Sequence, residues 1–192
     1  GSFGIYVRPR HAGTTVTTAN ITNNTATNNS DSGVYIRTTD SATIKTATIT
    51  NNTLSNNAGQ GIYTQLQSAG TINTVTFTDN TLSQNTNNGS LFVAQNTNSE
   101  ITNITIANNT ADQNGRRGYQ LYALTDGVID TATVKNNTAT NNTQATQPGF
   151  WAFAFSNGQI NDLTFHDNTA SGNQSHGFSI QSSGAGSNIN VT

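Results

Sequence analysis

The pair Asn-Thr returns along this chain at Asn24-Thr25, Asn52-Thr53, Asn80-Thr81, Asn109-Thr110, Asn137-Thr138 and Asn168-Thr169, in steps of 28, 28, 29, 28 and 31 residues. A period of roughly 20–50 residues marks a solenoid, a propeller or an array, because each repeat buries its apolar face only against its neighbours. A second Asn stands five residues after the first, at Asn29, Asn57, Asn85, Asn114, Asn142 and Asn173. Gly follows four residues later, at Gly33, Gly61, Gly89, Gly118 and Gly177. In one repeat it comes three residues late, at Gly149, and this accounts for the single 31-residue step. An insertion that leaves the rest of a repeat in phase is a loop on one side of a coil.

Each repeat carries three apolar segments. One alternates before the Asn-Thr pair, as in Ala47/Ile49, Val75/Phe77, Ile104/Ile106 and Leu163/Phe165. Period-two alternation with β-branched residues reads as a half-buried strand. An earlier apolar position leads it by three residues: Val16, Ile44, Ile72, Ile101, Ile129 and Ile160. A second segment is the single residue Ala26, Leu54, Leu82, Ala111, Ala139 or Ala170, and the third follows the Gly, as in Val34/Ile36, Tyr119/Leu121 and Phe150/Ala152. No stretch has helical periodicity, and abundant Asn, Thr and Gly disfavour helix.

Three short strands in about 28 residues, joined by tight turns, predict one coil of a parallel β-helix, with each coil stacked on the next at about 4.8 Å. The expected fold is all-β, a β-solenoid of six to seven coils spanning residues 1–192. Asn tolerates the left-handed backbone of a corner, and stacked Asn amides can hydrogen-bond from coil to coil. Gly suits a second corner, where φ is positive or backbones pass closely. Segments such as Asn52-Thr53-Leu54-Ser55-Asn56-Asn57 followed by Gly61-Ile62-Tyr63 resemble the right-handed parallel β-helix superfamily, the Asn-rich repeats of pectate-lyase-like and surface-adhesin proteins. The resemblance implies a right-handed, single-stranded solenoid. It implies no one activity, since that superfamily holds lyases, hydrolases, epimerases, adhesins and phage tail proteins alike.

Charged residues make up 8% of the chain and the formal net charge is −2, which argues against nucleic acid or an anionic membrane as partner. There is no Cys, so disulfides and Cys metal sites are excluded. No apolar run is long enough to span a membrane, and no cofactor motif is present. The sequence opens and closes in mid-coil without polar caps, so it is expected to be an excerpt of a longer solenoid. An Asn- and Thr-rich, Cys-free, charge-poor solenoid points to an extracellular or cell-surface location. Sequons at Asn20, Asn51, Asn108 and Asn136 follow from the abundance of Asn and Thr.

A polysaccharide lyase or glycosidase needs converging carboxylates. The acids here do not pair: Asp79 and Asp167 share a column three coils apart, and Asp130 and Asp162 are offset by one residue and point to opposite faces. His166 and Asp167 read as a solvated face, Asp126 as a turn residue, and Arg116-Arg117 as a corner loop. A stronger candidate is the outward side of the strand after Gly. Gly4 continues the Gly column one turn back; two residues past each Gly stand Tyr6, Tyr35, Tyr63, Leu91, Gln120, Trp151 and Ser179, and four past it stand Arg8, Arg37, Gln65, Val93, Tyr122, Phe153 and Gln181. Tyr6, Tyr35, Tyr63, Tyr122, Trp151 and Phe153 thus form an outward aromatic stripe, fit to contact a glycan or another protein chain, including a second copy. A third candidate is a Thr-x-Thr grid before the Asn-Thr pair, running through Thr46, Thr48 and Thr50 and through Thr74, Thr76 and Thr78. It is similar to the grids of ice-binding β-solenoids. The leading expectation is a non-enzymatic adhesin, stalk or filament component, with a carbohydrate-active enzyme and an ice-binding surface as alternatives.

Overall fold

Every coil of the chain turns the same three corners, and the strands between them stack in register into parallel sheets. The computed structural model describes residues 2–192. Among these it has 17 strands and no helix. The first sheet joins β1 (Ile5–Val7), β3 (Val34–Thr38), β5 (Ile62–Leu66), β7 (Ser90–Gln95), β10 (Tyr119–Leu124), β13 (Phe150–Phe155) and β16 (Phe178–Ser183). The second joins β2 (Thr15–Thr22), β4 (Thr43–Thr50), β6 (Thr71–Thr78), β8 (Glu100–Ala107), β11 (Val128–Lys135), β14 (Gln159–His166) and β17 (Asn188–Val191). All their pairings are parallel, and like positions sit above like positions, as in Ile44↔Ile72 and Ile72↔Ile101. The expected β-solenoid is therefore what forms, with seven turns in each long sheet.

The third strand is shorter than expected. Only β9 (Thr110–Asp112), β12 (Thr138–Thr140) and β15 (Thr169–Ser171) qualify, and earlier coils make a single bridge at Thr25, Thr53 and Thr81. This segment has one apolar residue between two corners, so the parallel sheet it forms has strands of only three residues.

The core is a narrow column of the predicted apolar positions. Ile44, Ile72, Ile101, Ile129 and Ile160 are fully buried, as are Leu54, Leu82, Phe77 and Phe92. Phe77 and Phe92 meet edge to face at 5.5 Å, and Tyr119 and Phe150 stack inside the coil at 4.8 Å, with the half-exposed Phe178 stacked on Phe150 at 4.9 Å. Each fully buried side chain of this size contributes about 1.5–3 kcal/mol of transfer free energy.

The Asn columns are hydrogen-bonded ladders. One runs Asn24, Asn52, Asn80, Asn109, Asn137, Asn168; the other runs Asn29, Asn57, Asn85, Asn114, Asn142, Asn173. Along both, each Nδ2 donates to the Oδ1 of the next Asn at 2.7–3.2 Å. Asn80 shows the full pattern. Its Nδ2 also donates to the carbonyls of Ile49 and Thr78, while its Oδ1 accepts from both the main-chain and side-chain nitrogens of Asn52. Corner carbonyls and amides that no strand partner reaches are thereby satisfied.

The left-handed backbone expected at these Asn lies one residue earlier. Positive φ occurs at Asn23, Asn51, Asp79, Asn108, Asn136 and Asp167, and at Asn28, Asn56, Gln84, Gln113, Asn141 and Gly172. The preceding residue turns the corner and aims the ladder Asn inward. The corner glycines serve close approach rather than positive φ: a Cβ on Gly61 would lie 2.6 Å from the carbonyl oxygen of Gly89.

Candidate functional site

The outer surface of the first sheet gathers the aromatic residues that the core does not use. Strand pairing puts Tyr6, Tyr35, Tyr63, Leu91, Gln120, Trp151 and Ser179 in one column. Arg37, Gln65, Val93, Tyr122, Phe153 and Gln181 form the adjacent one. None of Tyr6, Tyr63, Tyr122, Trp151 and Phe153 belongs to the core cluster, whereas Phe150 beside them does. The stripe is interrupted in its middle by Leu91, Val93 and Gln120, so it consists of two patches.

The first patch is a tyrosine ladder. Tyr6 and Tyr35 stack at 5.2 Å, and Tyr35 and Tyr63 at 4.9 Å, with ring planes within 10°. Phe3, which the sequence reading left out, packs on Tyr6 and Tyr35. Tyr35 is only 8% exposed, less than an outward strand position implies. Its faces are taken by neighbouring rings, and its hydroxyl donates to Gln65 Oε1 at 2.7 Å. Burial, then the neighbouring Tyr35, pushes the Tyr63 phenol up to about 12. Burial raises Tyr35 as well, against the nearby Arg37 charge.

The second patch is a row along β13. Trp151 stacks on Phe153 at 4.8 Å, and Phe153 lies 6.0 Å from Phe155, with Tyr122 tilted against both Trp151 and Phe153. The Arg117 guanidinium lies over the Trp151 ring at 4.0 Å, a cation–π contact. Burial, with a smaller contribution from Arg116, lowers Arg117 to about 10, and the Tyr122 hydroxyl opposes that shift. Phe155 is 46% exposed and was missed by the sequence reading. It stands six residues past Gly149, beyond the two positions sampled there, and continuing the alternation by one step would have found it. Both patches therefore present ring edges, hydroxyls and amides, with a largely open ring only at Phe155 and at Tyr6.

The acids do not assemble. Asp130 accepts from Asn161, Asp162 from Thr192, and Asp112 from Thr140 and Asn141. His166 Nδ1 and Asp167 Oδ2 make an exposed contact at 2.8 Å. Among the described residues no group of His, Asp and Glu could hold a metal ion, and no helix is long and apolar enough to cross a membrane. A cavity of about 270 Å³ lies among Phe150, Phe165, Phe178 and Ile180. His166, Asp167, Asn168 and Ser179 complete its lining, and Phe178 and Ile180 are half-exposed there.

The threonine grid is also in register. Its central column reads Asn20, Thr48, Thr76, Thr105, Thr133, Thr164, and Thr18, Thr46 and Thr74 stack beside it. Asn103, Asp162, Lys135 and His166 interrupt the flanking columns.

A family model described as the right-handed beta helix region matches residues 3–192. No curated protein and no solved structure is significantly similar to the chain.

Proposed function

The chain belongs to the right-handed β-helix family, and from that premise we propose that it is a non-enzymatic segment of an extracellular or cell-surface protein, an adhesive or stalk-like rod, or filament component, that makes contact through its aromatic face. The observation that carries this reading is the segregation of side chains. Tyr6, Tyr63, Tyr122, Trp151, Phe153 and Phe155 stand outside the core on one sheet, in a chain with only 7% aromatic residues. Apolar bodies with polar tips suit sugar rings and partner chains, since they bury area and keep a hydrogen-bonding group at the rim. Hydroxyls and amides from Tyr63, Gln65, Tyr122 and Gln181 border these rings, which favours carbohydrate as the first ligand class to test, ahead of another protein chain. The extracellular placement is supported by analogy, through the Asn- and Thr-rich, charge-poor composition that surface solenoids share.

The test is a glycan array beside an assembly assay, run on the wild type and on Trp151→Ala/Phe153→Ala. Binding or assembly that depends on these two residues supports the proposal. Binding that ignores them, with the fold intact, sinks it.

One observation favours a second reading. Threonine fills five successive turns of one half-buried column, from Thr48 to Thr164, so the second sheet could act as an ice-binding surface. Inhibition of ice recrystallisation, lost in Thr76→Lys, would support that role. Strand propensity alone places Thr there if no inhibition occurs.

A further inference from the structure

The aromatic face has a charge pattern that its rings do not require. Its seven strands contain no Asp or Glu, and Arg37 is their one charged residue. All five arginines of the chain lie on or beside this face: Arg8 and Arg10 after β1, Arg37 in β3, and Arg116 and Arg117 in the corner before β10, while three acids, Asp31, Asp40 and Asp126, stand in its flanking corners and Asp31 acts on Tyr35 and Tyr63. Both lysines, Lys45 and Lys135, belong to the other long sheet. A chain of net charge −2 thus keeps its guanidinium groups together on the side with the aromatic rings.

Arg117 is the centre of this pattern. It is 7% exposed, lies over Trp151, and its Nη1 donates to Gln120 Oε1 at 2.8 Å. The same Gln120 oxygen accepts from Asn88 Nδ2, and Asn88 Oδ1 accepts the main-chain N–H of Arg117. The guanidinium is therefore fixed in place, yet its Nε has no partner. It has no counter-ion either, for the one contact at ion-pair distance among the described residues is His166–Asp167. Arg37 repeats the situation beside the tyrosine ladder: its Nη2 donates to Gln67 Oε1 at 3.0 Å and its Nε is buried without a partner. A desolvated cation without an opposite charge is destabilising until something neutralises it.

We infer that the face takes a glycan bearing an anionic group, a carboxylate or a sulfate, and that Arg117 supplies the opposing charge at the Trp151 end. This rests on the carbohydrate reading given above. A guanidinium presents a planar fork of donors that matches both anions, and one held by Trp151 and Gln120 loses little freedom on binding. Phe155, half-exposed beyond Phe153 on the same row, offers a ring face for the sugar beside the charged group.

Titration calorimetry with paired ligands tests this. One pair is a hyaluronan hexasaccharide and its carboxyl-reduced form; the other is a sulfated galactan oligosaccharide and its desulfated form. In at least one pair the charged ligand should bind about tenfold tighter, the worth of a hydrogen bond to a charged group. The pair that shows the preference identifies carboxylate or sulfate. Arg117→Gln should shrink the charged-to-neutral ratio to about twofold or less. If that variant melts far below the wild type, Arg117→Lys replaces it, with an intermediate ratio expected from a retained charge without the planar fork. In the wild type, added salt should weaken the charged ligand and spare the neutral one. Equal binding of charged and neutral forms overturns the inference and leaves the carbohydrate reading standing, and so does a full preference retained in Arg117→Gln. Failure of all four ligands to bind removes the carbohydrate reading itself, and the inference with it.

Discussion

The Asn ladders and the aromatic columns run along the same solenoid, but they treat repetition in opposite ways. Each ladder keeps one residue through six turns, and each rung repeats the same amide-to-amide bond. The aromatic column changes from turn to turn, from tyrosine through Leu91 and Gln120 to Trp151 and Ser179. A position that must satisfy buried backbone groups at every corner tolerates one solution, and period enforces it. A position facing outward is free of that demand, so its departures from the repeat carry whatever is specific to this chain.

Breaking the inside should cost most. Phe150→Ala removes a fully buried ring from the stack between Tyr119 and Phe178, and chemical denaturation should show a loss of about 4 kcal/mol. Asn80→Ala strips the ladder at mid-height and leaves the Ile49 carbonyl and the Asn52 amide without partners. A loss of about 3 kcal/mol, or about 10 °C in melting temperature, is expected. The half-exposed Asn87 is the matched control, and Asn87→Ala should change stability by less than about 0.5 kcal/mol. Asn98 serves less well, because its backbone is left-handed. Equal melting temperatures for Asn80→Ala and Asn87→Ala would make the ladders an accident of composition.

Breaking the outside should cost less. Trp151→Ala gives up ring contacts and the Arg117 cation–π pair, about 1–2 kcal/mol, and circular dichroism should show the β signature unchanged. The smallest effect is read by pH. The phenols of Tyr35, Tyr63, Tyr119 and Tyr122 all titrate above their ordinary value because burial disfavours the charged form. Raised folded-state values mean stability that is complete below pH 10 and is lost as pH climbs through them. Melting temperature should therefore fall between pH 10 and about 12, with Tyr63→Phe falling less steeply. Arg117, lowered to about 10, acts with the opposite sign over the same interval and softens the fall. A melting temperature that rises with pH there would show that the arginine outweighs the tyrosines.

Much of this was legible in the sequence because a solenoid projects its structure onto its period. The columns Ile44 to Ile160 and Asn24 to Asn168 are direct readings of a 28-residue step. What stayed hidden depends on how neighbours fill space within a column. Tyr35 points outward yet is covered by Tyr6, Tyr63 and Phe3. Arg117 read as a surface turn, since nothing in the spacing brings it onto Trp151, more than 30 residues away. The left-handed corner residues were placed one position late, because Asn stands at both positions in several coils and composition does not say which one turns.

The proposed division of labour is tested most directly by measuring ligand binding or assembly and thermal melting together on Trp151→Ala/Phe153→Ala, with Phe150→Ala beside it. The account predicts a folded double variant that has lost contact with its ligand or partner, and a Phe150 variant that melts far below both. A double variant that melts near the wild type and binds as the wild type does would contradict it.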